Sequence, residues 1–153
     1  VVMRTELMVK GQSLHFFNSH FYTNISSESE KTQIRQVSEI DAYMKDVTAT
    51  KKAPLLLTCD CNSPSDGVVR AEMLKLAFSD SWSATNSATS GFTGGQNLDA
   101  KIKTATSRID YIFLKDISPA SSNQVPENPA KTPVAGTILW PSDHLGVVVE
   151  FKN

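Results

Sequence analysis

The residue pattern predicts an α/β or α+β sandwich of mixed sheets. Three observations carry this. Runs of strand length, apolar or alternating, recur along the chain; two stretches repeat apolar residues at helical spacing; and the two kinds are mixed in order. The 153 residues, 40% of them hydrophobic, suit one domain with a core of its own and no second domain. A formal net charge of −1 excludes a strongly basic protein that grips nucleic acid by bulk attraction, though not a local basic cleft.

Residues Arg4 to Val9 alternate weakly and read as a strand. Lys10-Gly11-Gln12 reads as a turn, and the aromatic-rich run Leu14 to Phe21 completes a hairpin. Ser27-Glu28-Ser29-Glu30 has the form of a capping box. It opens a helix whose apolar face is Ile34, Val37, Ile40, Met44 and Val47, closed by Lys51-Lys52 and stopped by Pro54. Leu55 to Thr58 is fully apolar and reads as a central strand. Val68 to Ala77 reads as a second helix, with Val69, Met73, Leu76 and Ala77 on its apolar face. Ser79 to Gln96 is rich in Ser, Thr and Gly and is expected to be irregular, with one short strand at most. Arg108 to Leu114 is a clear strand, and the four prolines of Pro119 to Pro133 predict a long surface loop. Thr137 to Trp140 reads as a short extended piece, Pro141 to His144 as a turn, and Leu145 to Phe151 as the last strand.

No apolar run approaches bilayer length, and no basic start with an apolar stretch and cleavage site is visible, which leaves the compartment open. Cys59 and Cys61 flank Asp60. Two small buried thiols are expected, because so close a pair makes a strained disulfide and zinc wants more Cys or His nearby.

Polar clusters sit at the ends of the apolar strands: Asn18-Ser19-His20, Asp60-Cys61-Asn62 and Asp143-His144, with Asp110 set among Ile, Tyr and Phe. Each has a plain structural explanation. Asp60 and Asn62 suit a turn, His20 a satisfied core histidine, Asp143 a turn cap, and Asp110 a pair with Arg108. Together, two of the three histidines and three aspartates on strands that can converge on one edge describe a metal-assisted site.

The order Asn18-Ser19-His20, Asp60-Cys61-Asn62, Ser107-Arg108-Ile109-Asp110-Tyr111-Ile112-Phe113, Ser142-Asp143-His144 resembles the endonuclease/exonuclease/phosphatase superfamily over nearly the whole chain. The resemblance implies a four-layer α/β/β/α sandwich of mixed sheets, with residues 1–153 forming about its second, C-terminal half. It implies hydrolysis of a phosphodiester or phosphomonoester, in nucleic acid or a phospholipid or inositol phosphate, by in-line attack of water. Asp60 then orients or deprotonates that water, Asn62 contacts the phosphate, and His144 binds the scissile phosphate oxygen. Asp110 holds the His144 imidazole, and His20 contacts phosphate or assists the leaving group. Asp143, with Asp60 and Asn62, is the implied holder of Mg²⁺ or Mn²⁺, for which hard oxygen donors are suited.

Two departures matter. Cys59-Asp60-Cys61-Asn62 stands where the family has Gly-Asp-Phe-Asn, and the family's early asparagine and metal-binding glutamate have no counterpart. The expected partners are therefore a phosphate-ester substrate, nucleic acid among the candidates, and the missing N-terminal half or a chain that supplies it. The 153 residues alone are expected to be inactive. The alternative is a non-catalytic member acting as a binding or structural subunit. Lys101 and Lys103 could meet phosphate or lie in a solvated loop, and Trp82 and Phe92 could stack a base or anchor their loop.

Overall fold

The computed structural model describes residues 1–126, 128 and 139–151. The hairpin β1 (Val2–Val9) and β2 (Gln12–His20) leads into helix α1 (Ser27–Thr50), then β3 (Leu55–Asp60) and α2 (Val68–Lys75). A two-residue strand β4 (Ser79–Asp80) runs into the short helix α3 (Ser81–Thr85), followed by β5 (Asp110–Lys115), β6 (Ser121–Val125) and β7 (Gly146–Glu150). Five strands form one mixed sheet in the order β1-β2-β3-β5-β4, and β6-β7 pair separately. Among the described residues only β2 and β3 pair in parallel, because α1 is the crossover between them.

One face of the sheet presents Phe17, Leu55, Leu57, Cys59, Tyr111 and Phe113, and packs with Val37, Ile40 and Met44 of α1 and Val69 and Met73 of α2. Burying each aliphatic side chain of these helices contributes roughly 1.5–3 kcal/mol. His15 is buried in this layer and fully engaged: Nε2 donates to the Lys51 carbonyl (3.2 Å) and Nδ1 accepts from Arg4 (3.1 Å).

Several details differ from the sequence expectation. The cap of α1 is Ser26, whose hydroxyl accepts from the Ser29 amide, one residue ahead of the expected box. Ile34 is exposed, and Gln33 takes the buried position beside Val37. The Ser79–Gln96 stretch contains α3, because Asp80 caps it with bonds from the Trp82 and Ser83 amides. The Pro-rich stretch contains β6, a polar strand that forms because β7 offers it a partner. Thr137 and Ile138 of the expected extended piece lie outside the described residues. Cys59 and Cys61 form a disulfide instead of two free thiols. Both sulfurs come from alternate positions and so share the helix-covered face, while Asp60 between them points to the other.

Candidate active site

Strand register assembles the site. His20, Asp60 and Asp110 are direct partners across the adjacent strands β2, β3 and β5, so they form one row. One row along the sheet, Asn18, Thr58 and Ile112 lie on the same face, where Thr58 donates to Asn18 Oδ1 (2.7 Å). The turn before β7 brings in His144. Its amide donates to Ser142 Oγ (3.0 Å), and Leu145 is anchored to the Thr93 carbonyl (2.7 Å). A groove of about 420 Å³ runs along this face, lined among others by Asn18, Thr58, Asp60, Asp110, Ser142 and His144.

Asp110 and His144 form the closest pair, Nδ1 to Oδ2 at 3.0 Å. An ionised carboxylate only accepts, so Nδ1 carries the proton and Nε2 is left for other partners. Burial pushes the Asp110 carboxyl above its usual range and the Asp60 charge adds to this, while the Thr93 hydroxyl and His144 oppose it. Asp60 lies 4.0 Å from the same imidazole nitrogen and 3.3 Å from His20 Nε2. The His20 side chain is 70% exposed, so this second contact is made in high dielectric.

Asn62 sits just past β3 with φ of +44°, a left-handed conformation that asparagine tolerates better than most residues. Its amide N–H donates to Asp60 Oδ1 (2.9 Å) and its side-chain amide to the Phe21 carbonyl (3.0 Å). The buried Gln33 of α1 holds the same turn, donating to the carbonyls of Tyr22 (2.8 Å), Asn62 (3.1 Å) and Cys61 (3.2 Å). Sequence reasoning missed Gln33; its signal was a polar residue on the apolar stripe of α1. It missed Thr93 too, whose hydroxyl accepts from the Ile109 and Asp110 amides.

The expected residues do not all gather. Asp60, Asp110 and His144 offer atoms within 4.8 Å of one another, a group that could hold a cation. Asp143 is exposed, its carboxylate bonded by Ser142 (3.4 Å) and its carbonyl by the Gln96 amide (2.8 Å). Arg108 is not the partner of Asp110. It pairs with Asp80, at 2.9 and 2.8 Å, and is 4% exposed. Trp82 anchors its loop: it is buried, its indole donates to the Thr89 carbonyl (3.1 Å), and Gly91 at φ +64° lies so close that a Cβ there would meet the indole at 2.3 Å. Lys101 and Lys103 are exposed in a loop tied down by Trp140, whose indole donates to Ala100 (2.8 Å).

No protein-family model and no curated protein sequence matches the chain. Solved structures do. A mannosyl-6-phosphatase from Bacteroides thetaiotaomicron superposes with a TM-score of 0.74 at 23% identity, over 94% of this chain and 53% of that one. An endonuclease/exonuclease/phosphatase family protein from the same bacterium gives 0.72 at 23% identity, over 91% and 48%. The human Nocturnin catalytic domain gives 0.68 at 17% identity, over 99% and 52%. The chain therefore has the fold of the endonuclease/exonuclease/phosphatase proteins and spans about half the length of the solved structures it matches.

Proposed function

We propose that the protein is a divalent-metal-dependent phosphoesterase that hydrolyses a phosphodiester or phosphomonoester by in-line attack of water. The observation that carries this reading is the Asp110–His144 hydrogen bond at 3.0 Å beside a second carboxylate, Asp60, on an accessible groove. Such a pair differs from a structural ion pair because both members keep access to a reactant.

In this reading Asp60 accepts the proton of the attacking water, a task for a carboxylate within hydrogen-bond reach. Asp110 fixes the tautomer and orientation of His144, and a protonated His144 donates to the phosphoryl oxygen on which charge develops. The water oxygen bonds to phosphorus as the ester P–O bond breaks, the leaving alkoxide takes up a proton from solvent, and Asp60 returns its proton to solvent. His20, exposed beside Asp60, serves the leaving-group or phosphate side, and Asn62 supplies a neutral amide to the phosphate. The donor set fits Mg²⁺ or Mn²⁺: carboxylate oxygens dominate it and no thiolate competes, the two cysteines being paired. Asp60, with Asn62 beside it, would hold the ion, which would supply charge neutralisation and polarisation of the phosphoryl group, whereas Asp143, expected to join them, is exposed and lies outside the converging group. The phosphatase named among the similar structures supports the phosphoester class without selecting a substrate.

The test is hydrolysis of a generic phosphodiester and phosphomonoester by the intact protein, with Mg²⁺ or Mn²⁺ against a chelator. Asp60→Asn and His144→Gln are each expected to lower kcat by about 10²–10⁴-fold. Wild-type rates in either variant would sink the proposal. Calorimetric Mg²⁺ binding without any hydrolysis would favour the non-catalytic binding subunit instead.

A further inference from the structure

We propose that Thr93 is a positioning residue for the Asp110–His144 pair, acting through its buried hydroxyl; this rests on the reading of that pair as the phosphate-facing machinery. Asp110 and His144 are 34 residues apart in the chain and belong to different sheets' approaches, so something must fix their separation. Thr93 lies outside both segments, is 0% exposed, and is bonded to each. Its Oγ1 accepts from the amides of Ile109 (3.2 Å) and Asp110 (3.1 Å), at the start of β5. Its carbonyl accepts from the Leu145 amide (2.7 Å), next to His144, and its own amide donates to Ser107 (2.8 Å). The following residue, Gly94, bridges both Ser107 and His144. One threonine thus ties the aspartate's strand to the histidine's turn.

The hydroxyl is the part that matters. It has two lone pairs and can serve two amides at once. Valine has the same shape and no acceptor, so Thr93→Val leaves two amides beside the site without that partner. The backbone at Asp110 then loses its tether while the Leu145 tether, made by a main-chain carbonyl, persists. A displacement of about 1 Å between groups that act together lowers a rate by about 10²-fold.

The experiment uses the intact protein with ¹⁵N-labelled histidine. In the wild type the His144 Nδ1 proton, held by Asp110, is expected as a slowly exchanging downfield resonance. Thr93→Val is expected to displace or abolish it, and to lower kcat about 10–100-fold with KM within about threefold. Thr93→Ser keeps the hydroxyl and is expected to retain both. Val37→Ala, a cavity in α1, controls for general destabilisation: it is expected to lower Tm and leave the resonance in place. A wild-type resonance in Thr93→Val overturns the proposal. If the wild type hydrolyses no phosphate ester yet Thr93→Val still displaces the resonance, positioning stands and the hydrolytic reading falls.

Discussion

Asp80 and Asp110, on the neighbouring strands β4 and β5, meet basic side chains in opposite ways. Asp80 is almost wholly buried and saturated. Arg108 donates to both its oxygens, Arg70 to Oδ2 (2.7 Å) and the Ser83 hydroxyl to Oδ2 as well (2.8 Å), while Oδ1 also caps α3. Burial alone would raise its pKa, but Arg70, Arg108 and Ser83 outweigh it and hold the carboxyl below the usual range. Asp110 is less buried, has one imidazole partner, and is pushed the other way. A carboxylate whose every lone pair is spoken for stabilises a fold. One that is desolvated, underpaired and facing a groove is held ready for a reactant.

The comparison breaks most easily at Asp80. Asp80→Ala leaves the Arg108 guanidinium buried without its carboxylate, and the expected loss is about 3–5 kcal/mol of stability. Asp110→Ala exposes no buried charge, so its denaturation midpoint is expected to lie far closer to wild type. Equal losses in urea unfolding would erase the distinction between the two aspartates. Arg70→Ala should come next, at about 1–2 kcal/mol, because Asp80 keeps both its bonds from Arg108 Nη1 and Arg70 is a quarter exposed. A loss as large as that of Asp80→Ala would mean that Arg70, not Arg108, holds the network. Acid should act on the same cluster. The Asp80 carboxyl is depressed in the fold, so its stabilisation is complete above the unfolded carboxylate pKa and disappears as pH falls through the lower folded value. Asp80→Asn is therefore expected to flatten the acid side of the stability curve.

Much of this fold was legible because it is locally encoded. The apolar run of β3, the hairpin before α1 and the spacing of Val37, Ile40 and Met44 announce themselves in single windows of sequence. What stayed hidden depends on distant partners. β6 is a polar run, Ser-Ser-Asn-Gln-Val, and becomes a strand only because β7 pairs with it. Arg108 looked like a mate for Asp110 two residues away, but its mate is 28 residues back. At the site, the positions of Asp60, Asp110 and His144 were readable from motif order, and strand register then puts Asp60 beside Asp110. Thr93 leaves no motif and Gln33 only a polar residue on the apolar stripe of α1, since both act on main-chain groups of other segments.

The smallest expected effect is also the most discriminating. Because the Asp110 carboxyl is raised in the fold, the folded chain holds that proton to higher pH than the unfolded chain does. Above the raised value the ionised group costs the fold stability, and the cost is relieved as pH falls through it. Asp110→Asn keeps an acceptor for His144 and removes the charge, so Tm measured with chelator present is expected to rise slightly at pH 7. The gain should shrink as pH falls through the raised value, where the wild-type carboxyl takes up its own proton. A fall in Tm at pH 7 would mean that pairing with His144 outweighs burial, and that Asp110 is held as Asp80 is. A rise that closes with acid would show a residue kept at a cost to stability beside the groove, in the one place where its neighbour at Asp80 carries no such cost.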